Sequence, residues 1–137
     1  MQMQTPFALG FGCRAGVKAD AIVAAIEAML DKAKAQVKGP LDYQLFTIST
    51  KADHAGPREA ARSLGVSIGF LSVELLARFE ERTTQRSSRV EALFGLGSVA
   101  ESAALAGAGE DSRLLVPRLL HNGVTCALAK AAEGASV

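Results

Sequence analysis

Residues 19–39, "ADAIVAAIEAMLDKAKAQVKG", carry apolar side chains at Ile22, Ile26, Met29, Leu30, Ala33 and Val37, the three- and four-residue steps of one helical face. Asp20 falls in the first turn, Lys34 and Lys38 fall near the last, and Gly39-Pro40 stop the pattern. A strand-like run, "FALGFG", precedes this helix, and a second, "DYQLFTIS", follows it. In the second run Leu45, Phe46 and Ile48 are too continuous for a one-sided sheet, so burial on both faces is expected. "PREAARSLG" then reads as a short helix with Pro57 at its start and Gly65 at its end. "VSIGFLS" is a third strand, and "SVELLARFEER" a helix opened by Ser72. "LGSVAESAALAGAG" is a further helix, with Ser98 as N-cap and Glu101 completing a capping box. "RLLVP" and "GVTCALAK" close the chain as strands joined by "RLLHNG", whose Asn122-Gly123 marks a tight hairpin turn. Strands alternating with helices predict an α/β fold. Its sheet of about five strands is mixed, ending in an antiparallel hairpin.

Composition narrows the function classes. The chain has 137 residues, 49% hydrophobic and 21% charged, with a formal net charge of +1. One domain spanning 1–137 is expected, with 1–6 and 131–137 as loose tails. The near-neutral balance, one tyrosine and no tryptophan argue against a nucleic-acid partner or an anionic membrane surface. No leader and no apolar stretch of about 18 residues is visible, so a cytoplasmic protein is expected. Cys13 and Cys126 form no CxxC and read as two reduced thiols.

Several segments hold candidate chemistry. In "GFGCRAG", Gly10 and Gly12 permit close backbone approach or positive φ, so the stretch is either a packing corner or a ligand loop. It is not GxGxxG, and no P-loop occurs elsewhere. Cys13 is either a nucleophile or a small packing residue. Arg14 suits a carboxylate or phosphate, or caps a neighbouring helix. Lys51 and Asp53 sit on the loop after the second strand, where ligands of open α/β sheets collect; the plain alternative is an Asp53 N-cap beside a solvated Lys51. "RTTQRSSR", with Arg82, Arg86 and Arg89, is either a solvated loop or a cationic rim. The face of Ala103, Ala104, Ala106 and Gly107 lets its helix press on a sheet or a flat partner. His54 and His121 do not cluster with other ligand types, so neither a metal nor another cofactor is expected.

"GFGCRAG", "STKADHAG", "GLGSVAESAAL" and "LLVPRLLHNGVTCALAK", in this order and at these separations, resemble the CobE / CbiG C-terminal domain family of cobalamin (vitamin B12) biosynthesis. The likeness runs from about Phe7 to Lys130. It implies a three-layer α/β/α domain and a pathway that handles corrin precursors. It also implies binding positions at Gly10, Gly12, Cys13, Arg14, Lys51, Asp53, Gly97, Ser98, Val99, Glu101 and Thr125. His54, Pro57 and Arg118 depart from the family's usual glutamate, leucine and lysine. The chain has no room for the domains that precede this one in the fused members, so it is expected to match the stand-alone type. Three functions compete. The first is a receptor for a precorrin-like or hydrogenobyrinic-acid-like tetrapyrrole. The second is a hydrolase of the precorrin-5A lactone type releasing acetaldehyde, with Glu101, Asp53 or Cys13 as its reactive group. The third is a non-catalytic partner of pathway methyltransferases. A homo-oligomer is compatible with each.

Overall fold

In the computed structural model, which describes residues 7–14, 16–39, 41–80 and 99–131, the first strand β1 (Phe7–Cys13) lies at the centre of a five-stranded sheet. Helix α1 (Ala19–Lys34) carries the chain to β2 (Tyr43–Ile48), which pairs parallel to β1. Helix α2 (Ala55–Leu64) leads on to β3 (Ile68–Leu71), parallel to β2. Both crossovers step in one direction along the sheet, so a common handedness sets α1 and α2 on the same face. They share one core there with Phe7, Leu9, Phe11 and Leu45. Helices α3 (Val73–Ala77) and α4 (Val99–Ala108) pack on the opposite face. Strands β4 (Arg113–His121) and β5 (Val124–Lys130) then form an antiparallel hairpin, and β5 inserts antiparallel beside β1. The order is β3-β2-β1-β5-β4. This is a mixed sheet between two helical layers, as the sequence predicts.

Burial follows the strand alternation. Leu45 joins the α1 side, while Phe46 and Ile48 pack on the α4 side, so β2 is covered on both faces. Val124, Cys126 and Leu128 of β5 face α1, and Ala127 and Ala129 face α4. Helix α4 is the most enclosed of the described helices: seven consecutive residues, Val99 to Leu105, are buried. Ala100 and Ala104 join the core over β5, Ala103 the one over β2. No helix among the described residues is long and apolar enough to cross a membrane.

Several boundaries differ from the expected ones, each for a physical reason. β1 runs through both of its glycines to Cys13, and neither has positive φ; the turn belongs to Gly16, at φ 85°. α1 ends at Lys34, ahead of Val37 and Lys38. α2 begins two residues before Pro57 with His54 at the N-cap, so Asp53 does not cap it. α3 stops at Ala77, with the Ser72 hydroxyl accepting from the Leu75 N–H at its start as predicted. β4 includes Pro117 and continues through "RLLH". Its pairing to β5 shifts register between Val116 and Leu119, and an irregular edge strand accommodates the missing N–H of proline. Asn122 and Gly123 close the hairpin at φ 54° and 79°, the signature of a type I′ turn. Of the expected tails, 1–6 and 131–137, all but Ala131 lie outside the described residues.

Among the described glycines, Gly10 meets the closest neighbour, at the contact of α4 on β1. A Cβ on Gly10 would collide with the Ala100 carbonyl oxygen and the Ala104 amide nitrogen, both backbone atoms of α4. One on Gly12 would meet only the Val99 side chain, at 3.5 Å. Gly10→Ala should therefore lower stability by about 3 kcal/mol, because a helix backbone cannot yield as a side chain does. Gly12→Ala should stay within about 1 kcal/mol of the parent. Urea midpoints of the two variants test this, and equal midpoints would refute it.

Candidate functional site

Three parallel strands end at the same edge of the sheet, and β4 runs in their direction, so the β4–β5 turn lies at that edge too. Loops beyond the carboxyl ends of such strands are where ligands of α/β sheets collect. Arg14 leaves β1 at this edge, exposed. Beyond β2, Ser49–Lys51 form one turn of 3-10 helix, tightened by the Ala52 N–H bonding the Ser49 carbonyl and the His54 N–H bonding the Lys51 carbonyl. Arg58 holds this loop from α2: its Nε donates to the Ala52 carbonyl at 3.0 Å while its guanidinium lies 4.7 Å from the Phe70 ring centre. Where β1 and β2 cease to pair, after Gly10 and Phe46, the buried Thr47 hydroxyl donates to the Phe11 carbonyl at 2.6 Å. These bonds place Lys51 close enough to Cys13 for its charge to act on the thiol. Arg14, Lys51 and the first turn of α4, whose Val99 abuts Gly12, thus occupy one rim. Among the described residues neither the Arg14 nor the Lys51 side chain has an ion-pair partner.

The other sequence-predicted residues divide. Thr125 pairs with Gly12 and is half-buried at the same edge. Asp53 is exposed on the Lys51 loop. Gly97, Ser98, Arg82, Arg86 and Arg89, and with Ser98 the capping box, lie outside the described residues. Glu101 is fully buried, and its Oε2 accepts from the Arg118 N–H at 2.8 Å, at the irregular stretch of β4. That bond uses the carboxylate to satisfy a strand amide that the bulge frees. Its neighbour Ser102 has a buried hydroxyl with no hydrogen-bond partner among the described residues. Beside the rim, the starts of α1 and α2 border an open cleft of about 430 Å³ lined by Gly16, Val17, Lys18, Asp20, His54 and Glu59 among others. Neither helix start has a side-chain cap. The acidic Asp20 and Glu59 give this cleft mixed charge. Sequence reasoning missed it, because a cleft made by two distant helix starts leaves no local motif. No group of three His, Cys, Asp or Glu side chains suited to a metal gathers among the described residues.

Burial pushes the Cys13 thiol above its ordinary pKa, and Lys51 offsets part of that rise. Near neutral pH the sulfur therefore stays protonated, the less reactive form. Cys126, on the same face of the neighbouring strand, is driven further by burial and by Cys13, to about 12. A folded-state pKa raised this far stabilises the fold fully below the unfolded thiol's value of about 8.5, and the contribution disappears as pH climbs toward 12. Between pH 8 and 10 the parent should lose about 1–2 kcal/mol relative to Cys126→Ala. Urea titrations of both proteins across that range measure the difference, and parallel curves would overturn it.

Sequence and structure comparisons agree with this architecture. The family profile described as Cobalamin synthesis G C-terminus matches residues 7–129. Protein CobE from Sinorhizobium sp is 31% identical over 122 residues, covering 88% of this chain and 77% of that one. The crystal structure of CobE, a protein from the cobalamin (vitamin B12) biosynthetic pathway, superposes with a TM-score of 0.79 at 28% identity, over 96% of this chain and 94% of that one. The cobalamin biosynthesis protein chiG from Agrobacterium tumefaciens str. C58 gives a TM-score of 0.69 at 35% identity, over 93% and 99% of the two chains. With the match running from the first residue of β1 nearly to the end of β5, this chain belongs to the Cobalamin synthesis G C-terminus family of cobalamin biosynthesis proteins.

Proposed function

We propose that this protein binds a carboxylate-bearing corrin-ring precursor at the rim formed by the ends of β1 and β2. Corrin precursors are flat and edged with acetate and propionate groups, so a receptor needs cations free of carboxylates of their own. The observation that carries the reading is that Arg14, next in the chain to Cys13, and Lys51, whose charge acts on the Cys13 thiol, both lack an ion-pair partner among the described residues. Guanidinium and ammonium groups recognise carboxylates in complementary ways, one as a planar fork and the other as a point charge. Membership in a cobalamin biosynthesis family favours a corrin precursor as the ligand class. Hydrolysis finds less support: the Cys13 thiol is held protonated, and Glu101 is buried and bonded to Arg118.

The test is a titration of the purified protein with hydrogenobyrinic acid, a metal-free corrin acid, followed in the visible spectrum. Binding should perturb the pigment bands, weaken with added salt, and weaken about tenfold or more in Arg14→Ala. No spectral change at high micromolar pigment would sink the proposal.

A further inference from the structure

Leu120 is 74% exposed and is the large exposed hydrophobic residue among those described. Its position gives that exposure meaning. Leu119 pairs with Cys126 and packs on the α1 side, so Leu120, paired with Thr125, lies on the α4 face of the sheet. Thr125 pairs in turn with Gly12. The three residues form one row across β1, β5 and β4, about 10 Å long at the usual strand spacing. At its β1 end the row meets Val99, the first residue of α4. Further along β4, Leu114 packs with the core under α4, whereas Leu120 does not. A glycine, a threonine and an uncovered leucine make a low, largely apolar surface, continuous with the edge from which Arg14 emerges.

We propose that this row is the platform for the flat face of the macrocycle, with Leu120 as a specificity-determining contact that distinguishes a ring from an open-chain polycarboxylate. The inference rests on the corrin-binding reading and deepens it. An exposed leucine alone would carry no such meaning, since single apolar residues are common on surfaces. Here Arg14 at the same edge, without an ion-pair partner among the described residues, selects an occupant that is both apolar on its face and anionic at its edge. Glu101 supports the platform indirectly, by fastening the Arg118 amide two residues before Leu120.

The experiment compares the parent, Leu120→Ser, Leu120→Met and Arg14→Ala in hydrogenobyrinic acid titrations at several salt concentrations, with sedimentation of each protein alone. Leu120→Ser should weaken binding about tenfold while leaving its salt dependence unchanged, because it removes apolar contact and no charge. Leu120→Met should restore most of the affinity. Arg14→Ala should weaken binding and flatten the salt dependence. If Leu120→Ser changes affinity less than twofold while Arg14→Ala weakens it, the platform is wrong and the cationic rim stands. A Leu120→Ser variant that keeps pigment binding but loses self-association would assign the surface to a second copy of the chain and overturn the proposal. No binding by the parent would remove both readings.

Discussion

Helix α4 lies so close to β1 that its backbone occupies the space a side chain on Gly10 would need, and much of the molecule is arranged by that approach. A helix can come this near a strand only where both surfaces are small. α4 presents Ala100, Ala103 and Ala104 to the sheet, and β5 presents Ala127 and Ala129. The contact sets the height of α4 over the sheet, and with it the position of its first turn beside Gly12. It also carries Glu101 to the amide of Arg118 in β4. Gly10 of "GFGCRAG" is thus a fold residue, and the candidate rim begins closer to the end of the strand, from Gly12 to Arg14.

The two edges of the sheet are built differently, and this bears on where a ligand can sit. β3 is short and leads into α3, beyond which Phe79 joins the core around α4. β4 is long, contains a proline, and loses register with β5 midway. Such an edge strand would waste a buried amide at Arg118 without a side-chain acceptor, and Glu101 provides one. Carboxylates buried in α/β proteins invite a catalytic reading. Here the local hydrogen bond accounts for Glu101 as a fastening between the α4 layer and the edge strand.

What could be read in the sequence was what short-range chemistry controls. Ser72 caps α3 because its hydroxyl reaches an amide three residues away, and Asn122-Gly123 turns the hairpin because both residues accept positive φ. The 3.6-residue period of α1 and the doubly covered β2 were visible for the same reason. Illegible features all involve partners distant along the chain. Gly10 looks like a loop glycine until α4 is set upon it. Pro117 looks like the end of a strand until the register shift gives it room, and the extension of β4 through Leu120 was hidden with it. At the candidate site, Arg14 and Lys51 could be named separately. The approach of Lys51 to Cys13 at the end of β1 depends on Thr47 stitching β1 to β2 and on Arg58 holding the Ala52 carbonyl, neither of which has a sequence signature.

The same geometry explains why a receptor fits this edge better than a reaction centre. Catalysis by a thiol or carboxylate requires a group that is accessible and poised to change protonation state near neutrality. Cys13 is held protonated by the burial that packs it against α1, and Cys126 more strongly still. Arg14 and Lys51 face the opposite circumstance: neither has a carboxylate ion-pair partner among the described residues. A surface with a protonated thiol and cations lacking ion-pair partners among the described residues suits the proposed binding of an anion better than covalent catalysis by Cys13. That division of roles follows from one strand, β1, which buries its sulfur on the α1 side and releases its arginine at the end.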